Sequence, residues 1–137
     1  MASCKAEFFD SQVEEEWATV EYSREKLAKI DRMLYLARVK RGMKALEPGC
    51  GTGRLTRILG ERVGLEGHEV AIDMSEKMIE ACLRKTEWRP HFEIVCSAME
   101  DYPLAWGEFA AVLCYQVFPH FDNKHGVLEL FSKLLKP

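Results

Sequence analysis

The chain has 137 residues, 47% of them apolar and 30% charged, which suffices for one domain with a buried core and departs from disordered or fibrous composition. A net charge of −3 argues against nucleic acid or an acidic membrane as partner, and no apolar run reaches the ~18 residues of a membrane helix. Met1–Glu7 has no apolar signal run. The five cysteines (Cys4, Cys50, Cys82, Cys96 and Cys114) are odd in number and form no CxxC pair, so neither a disulfide framework nor a metal site is expected, and the expected setting is reducing and cytoplasmic.

In chain order, Asp10–Val20 is acidic around Trp17, with Asp10 or Ser11 as a cap for a helix. Ser23–Arg41 places Leu27, Ile30, Leu34 and Ala37 on one stripe and predicts a helix stopped by Gly42. Met43–Glu47 predicts a strand, Thr52–Val63 a helix, Glu69–Asp73 a second strand, and Ser75–Lys85 a helix capped by Ser75. Phe92–Cys96 and Phe109–Tyr115 predict two further strands, and Asp122 caps a last helix through Leu135. Alternating strands and helices predict an α/β fold whose parallel sheet is buried on both faces. The chain shows no repeat, low-complexity segment or linker. Ending after a helix, it leaves a fourth strand as an apolar edge, which invites a homodimer through that edge or a longer natural chain.

Glu47-Pro48-Gly49-Cys50-Gly51-Thr52-Gly53 turns from a strand end into a helix. Its glycines let backbone approach a ligand closely, with helix N–H groups facing outward. The dinucleotide pattern G-x-G-x-x-G would need glycine at position 54, which is Arg54, and a Walker loop would need Gly-Lys-Ser/Thr. Glu47 disfavours a pyrophosphate and favours an ammonium. Asp73 ends the neighbouring strand, where an acid accepts ribose hydroxyls. Two carboxylates so placed suit a ligand with a ribose, an amino group and no phosphate.

These stretches resemble class I, Rossmann-like, seven-strand S-adenosylmethionine-dependent methyltransferases. Glu47–Gly53 is similar to the family's first motif and Val70–Ser75 to its second. Phe109–Gln116 is similar to the fourth-strand motif, and Leu134–Pro137 to the start of its Leu-Lys-Pro-Gly-Gly turn. The likeness covers about positions 8–137 and leans toward the small-molecule branch that includes ubiquinone/menaquinone-type C-methyltransferases. It implies a doubly wound sheet, here the N-terminal four-strand portion, with residues 1–42 as a helical cap or lid and 43–137 as the cofactor domain. It also implies that Gly49, Cys50, Gly51, Thr52 and Gly53 wrap the methionine part, with Glu47 at its amino group. Asp73 takes the ribose, Met74, Ser97, Ala98 and Met99 frame the adenine, and Tyr115 and Gln116 lie beside the transferring methyl. Relatives often carry Asp where Ser97 stands and Phe-Asp where Phe109-Ala110 stands.

The implied cofactor is S-adenosyl-L-methionine, and the implied partner is a small-molecule methyl acceptor. His120 is the candidate general base, ahead of His91 and His125, and Phe8, Phe9 and Trp17 are lid candidates. Two other readings stand beside a methyltransferase: a non-catalytic S-adenosylmethionine-binding or dimerising module, and a nicotinamide oxidoreductase, which Arg54 and Glu47 disfavour.

Overall fold

A computed structural model describes residues 4–137 except Trp88 and Gln116, so the expectation for Gln116 lies outside the described residues. The elements run α1 (Cys4–Gln12), α2 (Glu16–Thr19), α3 (Arg24–Leu36), β1 (Lys44–Pro48), α4 (Arg54–Val63), β2 (His68–Asp73), α5 (Glu76–Thr86), β3 (Phe92–Cys96), β4 (Ala111–Val112), a 3-10 turn (Phe118–His120) and α6 (Lys124–Leu134). All strand pairs are parallel, in the order β3-β2-β1-β4. The chain steps outward from β1 to β3 and then crosses to the other side of β1. The switch point therefore lies between β1 and β4, where open α/β sheets form their crevice.

Alternation along the strands divides the core. Ala45 and Ala111 pack with Ile30, Leu34, Leu55 and Leu59 under α3 and α4, while Ala71 packs with Cys50, Ile79 and Cys82 under α5. Leu46, Val70, Ile72 and Phe109 face the opposite layer, with Val127, Phe131 and Leu134 of α6. The strands are thus covered by helices on both sides, as apolar parallel strands require. Among the described residues no helix is long and apolar enough to cross a membrane.

Several boundaries depart from expectation. The first helix covers Cys4–Gln12, and Asp10 lies inside it. α3 stops at Leu36 rather than Arg41. Arg38 adopts φ +58°, its N–H reaches Tyr35 O, and Val39 N–H reaches Leu34 O. This Schellman ending buries Val39 against Leu34 and outweighs the penalty of a left-handed non-glycine. β4 shrinks to Ala111–Val112, because Pro48 offers no N–H and the following Gly49 and Cys50 amides turn to Ile72 O on the other side. Asn123, not Asp122, caps α6 by accepting the Gly126 N–H at 3.0 Å. The fourth-strand edge is not bare either. Leu135 pairs in parallel with Phe109, and Lys136 N–H bonds Phe109 O at 2.9 Å.

Candidate functional site

The C-terminal ends of β1 and β2 open on a cavity of about 1000 Å³. Its floor is the glycine loop. Gly49 (φ +68°) and Gly51 (φ +56°) need the left-handed region that glycine enters without strain. They differ in their surroundings: a Cβ on Gly49 would collide with the Val117 side chain, whereas a Cβ on Gly51 meets nothing within 4 Å. The open side of Gly51 is the close-approach surface expected of a ligand loop.

Asp73 locks that loop to β2. Its Oδ2 accepts the Gly51 N–H at 2.9 Å and its Oδ1 accepts the Ser75 N–H at 2.9 Å. Burial raises its pKa and these backbone donors oppose the rise. With Met74 N–H as a third backbone donor, the carboxylate keeps acceptor capacity for one further donor such as a ligand hydroxyl. Glu47 lies deeper, almost fully buried, and Thr56 Oγ1 donates to its Oε1 at 2.7 Å. Burial pushes its pKa up to about 7 against the hydrogen bonds from Glu69 and Thr56.

The cavity brings together Glu47, Gly49, Cys50, Gly51 and Thr52 from the loop, and Asp73 and Met74 from the end of β2. Ser97, Ala98 and Met99 follow β3, and Tyr115 and His120 follow β4. Gly53 is the exception. It does not line the cavity but caps α4 at φ +91°, and a Cβ there would sit 2.9 Å from Cys82 Sγ, so its task is packing against α5. Cys50 and Cys82 form a buried thiol pair; their hydrogen bond and burial hold the Cys50 thiol well above its usual range. Ser97 is fixed by its own N–H to Asp73 O at 2.9 Å, while its hydroxyl donates to Ala98 O at 2.8 Å.

The N-terminal segment roofs the cavity with Phe8, Phe9 and Trp17. Phe9 meets the His120 ring edge-on at 5.5 Å and the Trp17 ring at 6.5 Å. Thr52 Oγ1 donates to Ala18 O, Arg54 Nη1 donates to Val20 O at 3.2 Å, and the Arg54 guanidinium lies 4.7 Å over the Tyr22 ring. Asp10 accepts from the Ser75 hydroxyl and from Lys77 N–H at 3.2 Å, pinning α1 to the start of α5. Lys5 closes the opposite rim on His120 O and Asp122. His125, paired with Glu129 on α6, and His91, bonded to Gly60 O, do not line the cavity.

Sequence reasoning missed Tyr22, Val117 and Lys5 as lining residues, and carried no local signal for them. It also missed Glu69, although an acid inside a strand expected to be buried on both faces is such a signal.

A methyltransferase-domain family model matches residues 45–137, about two thirds of the chain. The demethylmenaquinone methyltransferase of Staphylococcus saprophyticus is 30% identical over 106 residues, covering 77% of this chain and 46% of the relative. The Staphylococcus carnosus enzyme of that name is 29% identical over 106 residues, covering 77% and 44%. This chain thus spans about half the length of the curated relatives it matches. Among solved structures, a SAM-dependent methyltransferase from Aquifex aeolicus superposes with TM-score 0.76 at 22% identity, covering 93% of this chain and 68% of that one. An S-adenosylmethionine-dependent methyltransferase from Mesorhizobium loti superposes with TM-score 0.68 at 17% identity, covering 80% and 48%. The fold is therefore Rossmann-like, and the chain belongs to the methyltransferase-domain family.

Proposed function

We propose that the chain binds S-adenosyl-L-methionine and serves as the cofactor-binding part of a methyltransferase acting on a small-molecule acceptor. Residues 43–137 form the cofactor domain and residues 1–42 its cap. The observation that carries this reading is the opening of Glu47 and Asp73, on the tips of adjacent parallel strands, into one cavity of about 1000 Å³ beside the open face of Gly51. That size suits a drug-sized ligand with room beside it.

Glu47 takes the ammonium group and Asp73 the ribose hydroxyls. Met74, Ser97, Ala98 and Met99 border the adenine end, and Tyr115 and His120 the methyl end. When bound, the cofactor supplies a methyl group on a sulfonium that is already a good leaving group. The chain's own contribution is alignment, which in enzymes is worth roughly 7–11 kcal/mol. The aromatic roof borders the methyl end, where Phe9 meets His120. A cytoplasmic setting agrees with five free cysteines. Dimerisation through β4 would have to use Ala111–Val112, since Leu135 already occupies the edge at Phe109. Sedimentation at micromolar concentration tests that point.

Titration calorimetry with S-adenosylmethionine, S-adenosylhomocysteine and NAD tests the main reading. Binding of both sulfur nucleosides and not of NAD is the expected result. Binding of NAD alone would overturn it. Turnover to S-adenosylhomocysteine with a panel of small acceptors separates a transferase from a module that only binds.

A further inference from the structure

Among the described residues, Glu69 is the one deeply buried carboxyl with no task in the site. Ala45 faces Glu69 and Glu47 faces Ala71 across the β1–β2 pair, so both acids project from the same side of the sheet on neighbouring strands. Glu69 is 0% exposed and Glu47 3%. Thr56 occupies one oxygen of Glu47, and its other side-chain partner is the Glu69 carboxyl. Among the described residues, neither Glu69 oxygen meets a donor if both acids are ionised. Two buried carboxylates in contact cannot both carry charge at neutral pH. A single shared proton turns their repulsion into a hydrogen bond.

Among the described residues, the elements around the pair place no other donor within hydrogen-bond distance of Glu69. α4 brings Thr56 and Gly60, and a Cβ on Gly60 would lie 3.2 Å from Glu69 Oε2. α5 brings the Cys82 thiol, which is directed to Thr56 Oγ1 at 3.7 Å. From the start of β3 come Phe92 and His91, whose Nε2 lies 3.1 Å from Gly60 O. On the cavity side, Asp73 acts on Glu47 as a further like charge. Desolvation raises Glu69 well above the usual carboxylate range, and the neighbouring Glu47 charge raises it further. The proton therefore belongs to Glu69, the acid farther from solvent.

We propose that Glu69 is the positioning residue of the cofactor site: it keeps the shared proton, donates it as a hydrogen bond to Glu47, and so holds Glu47 charged and fixed toward the cavity. In this role Glu69 acts only through Glu47, and so depends on Glu47 taking the ammonium group of S-adenosylmethionine.

The test compares calorimetric binding of S-adenosylmethionine with that of 5′-methylthioadenosine, which lacks the amino-acid part. Glu69→Leu removes the donor. It should weaken S-adenosylmethionine by about tenfold or more and leave 5′-methylthioadenosine unchanged. Glu69→Gln keeps an N–H donor and should hold S-adenosylmethionine within about threefold of the native chain. Infrared difference spectra at about pH 8.5, above the range in which Glu47 titrates, should show a protonated-carboxyl carbonyl stretch that Glu69→Gln abolishes. Equal weakening of both ligands in Glu69→Leu overturns the proposal, as does a carboxyl band that survives in Glu69→Gln. Should Glu69→Leu not fold, a tenfold loss in folded Glu69→Gln overturns it. Glu47→Gln separates the two levels. If it weakens S-adenosylmethionine alone while the Glu69 variants bind normally, only the positioning role falls. If it weakens neither ligand, the assignment of Glu47 falls and the role of Glu69 with it.

Discussion

Asp73 Oδ2 accepts the Gly51 amide at 2.9 Å, tying the tip of β2 to the middle of the loop that follows β1. Adjacent parallel strands bring those positions together at the C-terminal edge of the sheet, and one side chain then sets the shape of the ligand loop. Asp73 is a structural latch and, in the proposed function, also the acid for the ribose.

Asp73→Ala should therefore lose stability as well as cofactor affinity. Each charged hydrogen bond lost to Gly51 or Ser75 is worth about 1.5–3 kcal/mol. Urea unfolding without ligand should show the first loss, and calorimetry on the folded fraction the second. Asp73→Asn, which keeps an acceptor for one amide, should recover part of the stability. Unchanged stability in Asp73→Ala would mean that the loop is held by other contacts.

Gly49 and Gly51 should respond differently to alanine. Both occupy left-handed backbone, which costs a residue with a side chain roughly 1–2 kcal/mol. Gly49→Ala also drives a Cβ into the stiff, β-branched Val117, and overpacking adds about 1–3 kcal/mol. Gly51→Ala meets open space, so its loss of stability should be the smaller and its main effect on ligand affinity. Thermal unfolding of the two variants measures the order, and the reverse order would contradict the loop geometry.

Glu47 predicts an unusual pH dependence. Its folded pKa, raised to about 7 from an ordinary 4.5, makes the native state bind more protons than the unfolded chain between those values. Stability without ligand should then fall as pH rises through that window, by on the order of 3 kcal/mol at 1.36 kcal/mol per unit. Glu47→Gln should reduce the slope and leave the part that protonated Glu69 contributes over the same window. Cofactor affinity should run the other way, rising by up to tenfold per unit toward pH 7, because an ammonium requires the ionised acid. Denaturant midpoints and calorimetry from pH 4.5 to pH 7.5 test both trends.

The roof should loosen when Asp10 is removed. Asp10→Ala deletes the acceptor for the Ser75 hydroxyl and the Lys77 amide, a loss of about 1 kcal/mol by the usual value of a helix cap. The core beneath does not use this contact. Limited proteolysis should therefore speed up between α1 and α3 while the midpoint of global unfolding moves little. Unchanged cleavage would show that Thr52, Arg54 and Lys5 hold the segment without it.

Most of the sheet was legible in the sequence, because strands buried on both faces need apolar runs and the glycine loop needs its residue types. Phe92–Cys96 matches β3, and Ser75 caps α5 as expected, accepting the Met78 N–H at 3.2 Å. The predicted ending of α3 failed where burial of Val39 overrode helix periodicity. The predicted length of β4 failed because pairing depends on its neighbour, and Pro48 ends the neighbour's supply of donors. Gly53 entered the expected site by adjacency along the chain, but adjacency does not say which way a loop faces.

Hydrophobic pattern and backbone preference are local properties, and they were enough to read the class of fold, the glycine loop and the two acids at the strand tips. Tertiary structure alone decided that Asp10 caps a distant helix, that Lys5 closes on Asp122, and that Glu69 lies against Glu47. Those pairings join residues far apart along the chain. Their energies depend on which strand lies beside which and on how much water the packing leaves between them.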